Sequence, residues 1–250
     1  MSNLESNLFV KRIRLDKDKV EDFNSYPFNI ETVKSFTELK LNSPVTFLVG
    51  ENGIGKSTFI EAIAVACGLN PEGGSQNFNF STNRTHSKLW EYMHVDTFNS
   101  PRTKFFLRAE SFYNVASEIE RISKEGGEGP LYPFYGGNLH ECSHGESFIK
   151  LVQNRFLPRG LYILDEPEAA LSPMRQMTLL TLIDELVKQG SQFIIATHSP
   201  ILIAYRNGTI YDLNNKFNII KYKDTEIYQI YKMFLDRHEK MQEELFDAKD

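Results

Sequence analysis

The stretch Gly50-Glu51-Asn52-Gly53-Ile54-Gly55-Lys56-Ser57-Thr58 constrains the fold of this chain more than any other. It fits the pattern G-x-x-x-x-G-K-[ST] and stands where that pattern has physical meaning. An apolar run at 45–49 precedes it, and a helical pattern at 57–69 follows, with Ile60, Ile63, Ala64 and Cys67 on one face. Strand, glycine turn and helix in this order wrap bare backbone N–H groups and the positive end of a helix around an anion. Asn52, Gly53, Gly55, Lys56, Ser57 and Thr58 are therefore candidate contacts to the phosphates of a nucleotide. Lys56 would reach the β- and γ-phosphates of ATP, and the Ser57 hydroxyl would ligate Mg2+.

Two further apolar runs end in chemistry. Leu161-Tyr162-Ile163-Leu164-Asp165-Glu166-Pro167 closes on adjacent carboxylates, and the run at 192–196 leads into Thr197-His198-Ser199-Pro200. A helical stretch at 173–188 separates them, which is βαβ spacing and predicts parallel strands whose carboxyl ends share one edge. On that edge Asp165 is a candidate magnesium ligand beside Ser57, and Glu166 a candidate base that polarises the attacking water. His198 would sense the γ-phosphate, so the candidate catalytic set is Lys56, Glu166 and His198. Taken alone, each run could be a solvated strand end or carry a structural histidine; the phosphate loop upstream weighs against that. Ser143-His144-Gly145-Glu146 opens the helical stretch at 147–155 and offers N–H groups to an anion, a plain helix N-cap being the alternative.

In this order and spacing the motifs resemble the ABC ATPase superfamily across nearly the whole chain. The runs 165–173 and 196–200 resemble the branch that holds RecF, SMC-like and "overcoming lysogenisation defect" ATPases. Arg108-Ala109-Glu110-Ser111-Phe112, Gly136-Gly137-Asn138-Leu139-His140 and Ser143-His144-Gly145-Glu146-Ser147 are similar to small bacterial AAA-family (ABC-like) ATPases. The resemblance implies an α/β P-loop NTPase, an ABC ATPase head forming a single domain over 1–250. Its features are a mostly parallel RecA-like core sheet, an N-terminal antiparallel β element, and an inserted helical lobe at 85–155 that carries the signature turn. It also implies a head-to-tail homodimer in which Ser143, Gly145 and Glu146 of one copy meet the nucleotide of the other, with Ser172 in the loop that crosses between them. Glu110 stands where many relatives place a glutamine and becomes, by resemblance, a metal and water contact. Tyr26 is a candidate to stack on adenine, with core burial as the other reading.

The remaining readings set limits. A chain of 250 residues with 41% hydrophobic side chains can bury a proper core, and a net charge of −5 gives no general attraction to nucleic acid. A strand at 8–15 alternates apolar residues with Lys11, Arg12 and Arg14; these, with Arg84, Lys88, Arg102, Lys104 and Arg108, are what DNA could use, and a solvated face is the bland alternative. Cys67 and Cys142 lie in unlike surroundings and imply no disulfide framework; with no signal peptide or membrane-length apolar run, the expected setting is cytoplasmic and away from membranes. Segments 70–87 and 125–138 read as loops, 104–107 as a strand and 112–123 as a helix. At 224–245, Ile227, Ile230, Tyr231, Phe234, Leu235, Met241 and Leu245 recur at helical spacing and predict one helix with a buried stripe. The span from Thr58 to Ser143 is too short for a long SMC-type coiled coil, which argues against tethering. Three roles stay open: an ATPase that drives an effector protein or a nucleic-acid process, a nucleotide-gated scaffold for an effector nuclease or toxin, and the ATP-binding subunit of a transporter.

Overall fold

The computed structural model describes residues 8–75, 87–110, 112 and 143–246. Its central feature is a seven-stranded sheet built around five parallel strands. They are β3 (Val45–Val49), β6 (Thr103–Arg108), β7 (Gly160–Asp165), β8 (Gln192–Ala196) and β9 (Gly208–Asp212). Across the sheet the order is β10-β9-β3-β8-β7-β6-β4; the outer strands β10 (Asn218–Ile220) and β4 (Gly74–Ser75) are antiparallel to their neighbours. Every residue of β3, β7 and β8 is buried. That is why these strands are uninterrupted apolar runs in the sequence instead of alternating ones.

Side-chain alternation divides the core into two layers. Phe47, Phe105, Tyr162, Phe193 and Ile195 face one side. There they meet Phe148, Leu151 and Val152 of α3 (His144–Arg155) and Leu179, Ile183 and Leu186 of α4 (Pro173–Lys188). Leu48, Phe106, Leu161, Ile163 and Ile194 face the other side, against Phe59, Ile60 and Ile63 of α2 (Lys56–Ala66). The same layer takes in Val10, Ile13 and Leu15 of β1 (Val10–Leu15), the middle strand of a separate antiparallel sheet. Its neighbours there are β2 (Glu38–Lys40) and β5 (Met93–Thr97).

One buried side chain joins the two sheets. Gln192, at the start of β8, accepts the backbone N–H groups of Phe9 and Val10 on Oε1, both at 2.9 Å, and donates Nε2 to the Val10 carbonyl at 2.8 Å. The basic face of β1 is committed to its neighbours. Arg12 and Arg14 both pair with Asp96, Arg12 also with Glu38, and the Lys11 ammonium lies 3.9 Å from the centre of the Phe98 ring. This is the solvated-face reading of that strand. Lys104 likewise donates to the Cys67 carbonyl.

Two expectations need correction. The helical lobe does not begin at 85, because residues 93–97 form β5 and residues 103–108 form β6. Its described part is α3, while most of the helix expected at 112–123 falls outside the described residues. The C-terminal helix is present as α5 (Glu226–Phe246), with a kink at Arg237, but none of its residues is buried. Tyr231, Met233 and Leu235 stand about half exposed or more. Periodicity specifies that a helix has an apolar face and not that the same chain covers it.

Because Gln192 satisfies three backbone groups inside the core, Gln192→Leu should lower unfolding free energy by roughly 2 kcal/mol or more, through stranded N–H groups of Phe9 and Val10. Urea unfolding of the two proteins measures this; equal midpoints would refute the tie.

Candidate active site

The parallel register brings five strand ends to one edge. β3 runs into the glycine loop, β7 into Asp165 and Glu166, β8 into Thr197 and His198, β9 into Asp212, and β6 ends at Arg108, directly opposite Asp165 in the ladder. The loop turns into α2 through Gly53 at φ +81° and Gly55 at φ +99°. A side chain at Gly55 would also collide with Ile30, its Cβ falling 2.6 Å from the Ile30 Cγ2. The loop is held from both flanks. Thr32 of α1 (Glu31–Ser35) donates its hydroxyl to the Ile54 carbonyl, and Asn214, just past β9, accepts the Glu51 N–H at 3.1 Å. Because Gly55 caps α2 without a side-chain acceptor, the first-turn N–H groups of the helix stay free for an anion.

Lys56 is buried, and its ammonium folds back onto the loop, donating to the carbonyls of Gly50 at 3.0 Å and Glu51 at 2.8 Å. Burial lowers its pKa, opposed by the carboxylates of Glu166, Asp165 and Glu168. The Ser57 hydroxyl donates to Asp165 Oδ1 at 3.2 Å. Burial pushes the Asp165 carboxyl up to about 7, against the pull of the Arg108 guanidinium. Two hard oxygens at this distance, one of them a desolvated carboxylate, fit Mg2+. Glu166 leaves β7 with left-handed backbone, φ +49°, and its Oε1 lies 3.7 Å from His198 Nε2. That histidine nitrogen is buried without a hydrogen-bond partner, as a group waiting for a phosphate oxygen would be. Burial and nearby Lys56 lower the His198 pKa, favouring neutral imidazole.

A cavity of about 530 Å3 opens here, lined by the loop residues 50–52, by Glu166, Glu168 and His198, and on its far side by Ile227, Ile230 and Tyr231 of α5. Ser143 and Gly145 do not line it. Ser143 caps α3 and is exposed, while Gly145 sits tight beneath the loop after β7. A Cβ on Gly145 would come within 2.8 Å of both the Ala170 carbonyl and Arg175. Glu146 starts α3 on the exposed side, with Lys150 one turn on at 3.2 Å. Ser172, the N-cap of α4, is exposed nearby in sequence.

The structure brings Lys56, Ser57, Asp165, Glu166 and His198 together at one sheet edge. Glu110 is at the right edge but is 85% exposed, and its carboxylate approaches Arg108 Nη2 at 3.6 Å. Tyr26 is not in the core; it is 62% exposed in the turn ahead of α1. Three contributors were not assigned to this site from the sequence, Arg108 having been read only as a basic residue that DNA could use and as part of a resemblance run. Glu168 accepts the Thr197 hydroxyl at 2.7 Å and the His198 N–H, fixing the turn that carries the histidine. Asn214 steadies the loop, and Arg108 touches Asp165. A carboxylate two residues past Asp165-Glu166 is a visible signal for Glu168; nothing in the sequence marks Asn214.

This fold and edge define a P-loop ATPase. The family model described as AAA domain, AAA_23, matches residues 19–248, and the chain belongs to that family. It is 26% identical over 185 residues to the "Cobalt import ATP-binding protein CbiO" of Salmonella typhimurium, covering 68% of each chain. It is 24% identical over 249 residues to a Bacillus cereus protein named "Putative ABC transporter ATP-binding protein", covering 89% of this chain. The chain spans 43% of that relative's length. Similar solved structures include the SMC head domain from Thermotoga maritima, at 16% identity over 82% of this chain and 94% of that one, TM-score 0.44. An ATP-binding cassette of an ABC transporter in its ADP conformation is another, at 16% identity over 90% of this chain and 98% of that one, TM-score 0.46. Among the described residues no helix is long and apolar enough to cross a membrane.

A carboxyl whose pKa is raised by folding favours the fold only while protonated, so stability is lost as pH climbs from the unfolded value of 3.8 to about 7. Asp165→Asn removes this loss. Without nucleotide or metal, its melting temperature relative to the parent should rise between about pH 4 and about pH 7. A difference that stays flat across this range would contradict the buried-carboxylate account.

Proposed function

We propose that this chain acts as an ATP-sandwich homodimer, closing on ATP and reopening after hydrolysis, and that this motion drives or gates an effector protein. One observation carries the proposal: the cavity has residues 50–52 of the phosphate loop and Glu166 on its own walls, while the Ser143 turn is exposed outside it and open to a second copy. Each nucleotide would lie between residues 50–58 of one copy and Ser143 and Gly145 of the other. Lys56 turns from the loop carbonyls to the β- and γ-phosphates. Glu166 takes a proton from the water as its oxygen attacks the γ-phosphorus in line and the bond to ADP breaks; neutral His198 donates to a γ-phosphate oxygen. Ser57 and Asp165 would hold Mg2+, whose bound charge offsets that developing on the phosphate oxygens.

The 165–173 and 196–200 details favour the RecF, SMC and OLD-like branch, and the exposed apolar face of α5 at the cavity's rim supports a protein load. Nucleic acid as the load is less supported, since the basic residues of β1 are paired. The relatives named for transport favour a second reading, an ATP-binding subunit docking on a membrane partner.

Glu166→Gln should lower turnover by about 10²- to 10⁴-fold while still binding ATP. Light scattering of this variant should show the mass doubling only when ATP and Mg2+ are present; a mass indifferent to nucleotide would sink the sandwich. Adding Ser143→Arg should leave ATP binding to the monomer intact and abolish the doubling. Dimers that persist would show that Ser143 is not at the interface.

A further inference from the structure

Arg108 is the one cation in direct contact with Asp165 among the described residues, and its surroundings hold it in place. The strand β6 sets Arg108 opposite Asp165 in the ladder. Its Nη1 donates to Glu61 Oε2 of α2 at 2.8 Å, where Glu61 is only 13% exposed. Its Nε lies 3.4 Å from Asp165 Oδ2, buried and outside hydrogen-bond geometry. The two carboxylate oxygens of Asp165 are thereby divided: Oδ2 faces Arg108, and Oδ1 takes the Ser57 hydroxyl. A carboxylate free to rotate would offer either oxygen to a metal; one whose Oδ2 is drawn toward a buried guanidinium by charge presents Oδ1. Glu61 offsets the arginine's charge, so the contact adds little net repulsion toward a cation beside Ser57.

We infer that Arg108 is a positioning residue for the metal that accompanies the nucleotide, acting by fixing Asp165 Oδ2 so that Oδ1 and Ser57 form the metal-facing pair. This rests on the assignment of Asp165 as metal ligand. The arginine reaches the metal only through that carboxylate, and Glu61 is what keeps the fork from swinging away. Outer groups that orient a metal ligand commonly account for about 10- to 100-fold in metal affinity.

The test uses the whole chain, ADP and Mn2+, with free Mn2+ read by electron paramagnetic resonance and ADP affinity measured separately in EDTA. Arg108→Gln should weaken Mn2+ binding to the ADP complex by about 10-fold or more while ADP affinity in EDTA stays within about 2-fold. Arg108→Lys keeps the charge without the fork and should fall between the two; it serves if the glutamine variant does not fold. Loss of metal and EDTA-nucleotide affinity together, or unchanged Mn2+ affinity, would reduce Arg108 to a structural ion pair and overturn the inference. Asp165→Asn separates the levels. If it weakens Mn2+ binding and the Arg108 variants do not, only the inference fails; if it leaves Mn2+ binding unchanged, the ligand assignment fails with it.

Discussion

The structure depends on strands that are buried on both faces and point the same way. A strand sealed above and below by helices or a second sheet has no room for a charged side chain along its length, so charged groups are confined to its ends. With β3, β7 and β8 parallel and adjacent, three such ends coincide. Lys56, Asp165 and His198 are therefore neighbours because burial leaves them nowhere else to be. The desolvation that raises the Asp165 pKa and lowers those of Lys56 and His198 is the other face of the same confinement. A site assembled this way is poorly hydrated before any ligand arrives, which strengthens each electrostatic contact made later.

Much of this was legible in the sequence because its signals were local. An apolar run followed by glycines, lysine and serine, or by two carboxylates, names both a strand and what lies at its end. The phosphate loop, the Asp165-Glu166 pair and the histidine after β8 all rest on signals of this kind. The short strands β2, β9 and β10 carry mixed residues and owe their existence to pairing partners far away in the chain. Arg108 shows the limit most clearly. Read along the chain it is one basic residue among several; only folding brings Glu61 and Asp165 around it. The C-terminal helix errs in the opposite direction, since a periodic apolar stripe was expected to be covered and stands open.

The second, antiparallel sheet does more than cap the core. Gln192 fastens it to the first residues of β8, and Thr32 and Ile30, which follow β1 in the chain, press on the glycine loop. The N-terminal element is thus part of the support for the loop's shape, and the loop's left-handed glycines are held from outside as well as by their own geometry.

Gly145 connects two things that the chain keeps apart. Its missing side chain lets the first turn of α3 rest directly on the Ala170 carbonyl and Arg175, in the segment that leads away from Glu166. The turn at Ser143 therefore leans on the very segment that leaves Glu166. Any side chain at Gly145 would push the turn and that segment apart, so the close seating of the helix start on the chain beyond Glu166 exists only because this position is glycine.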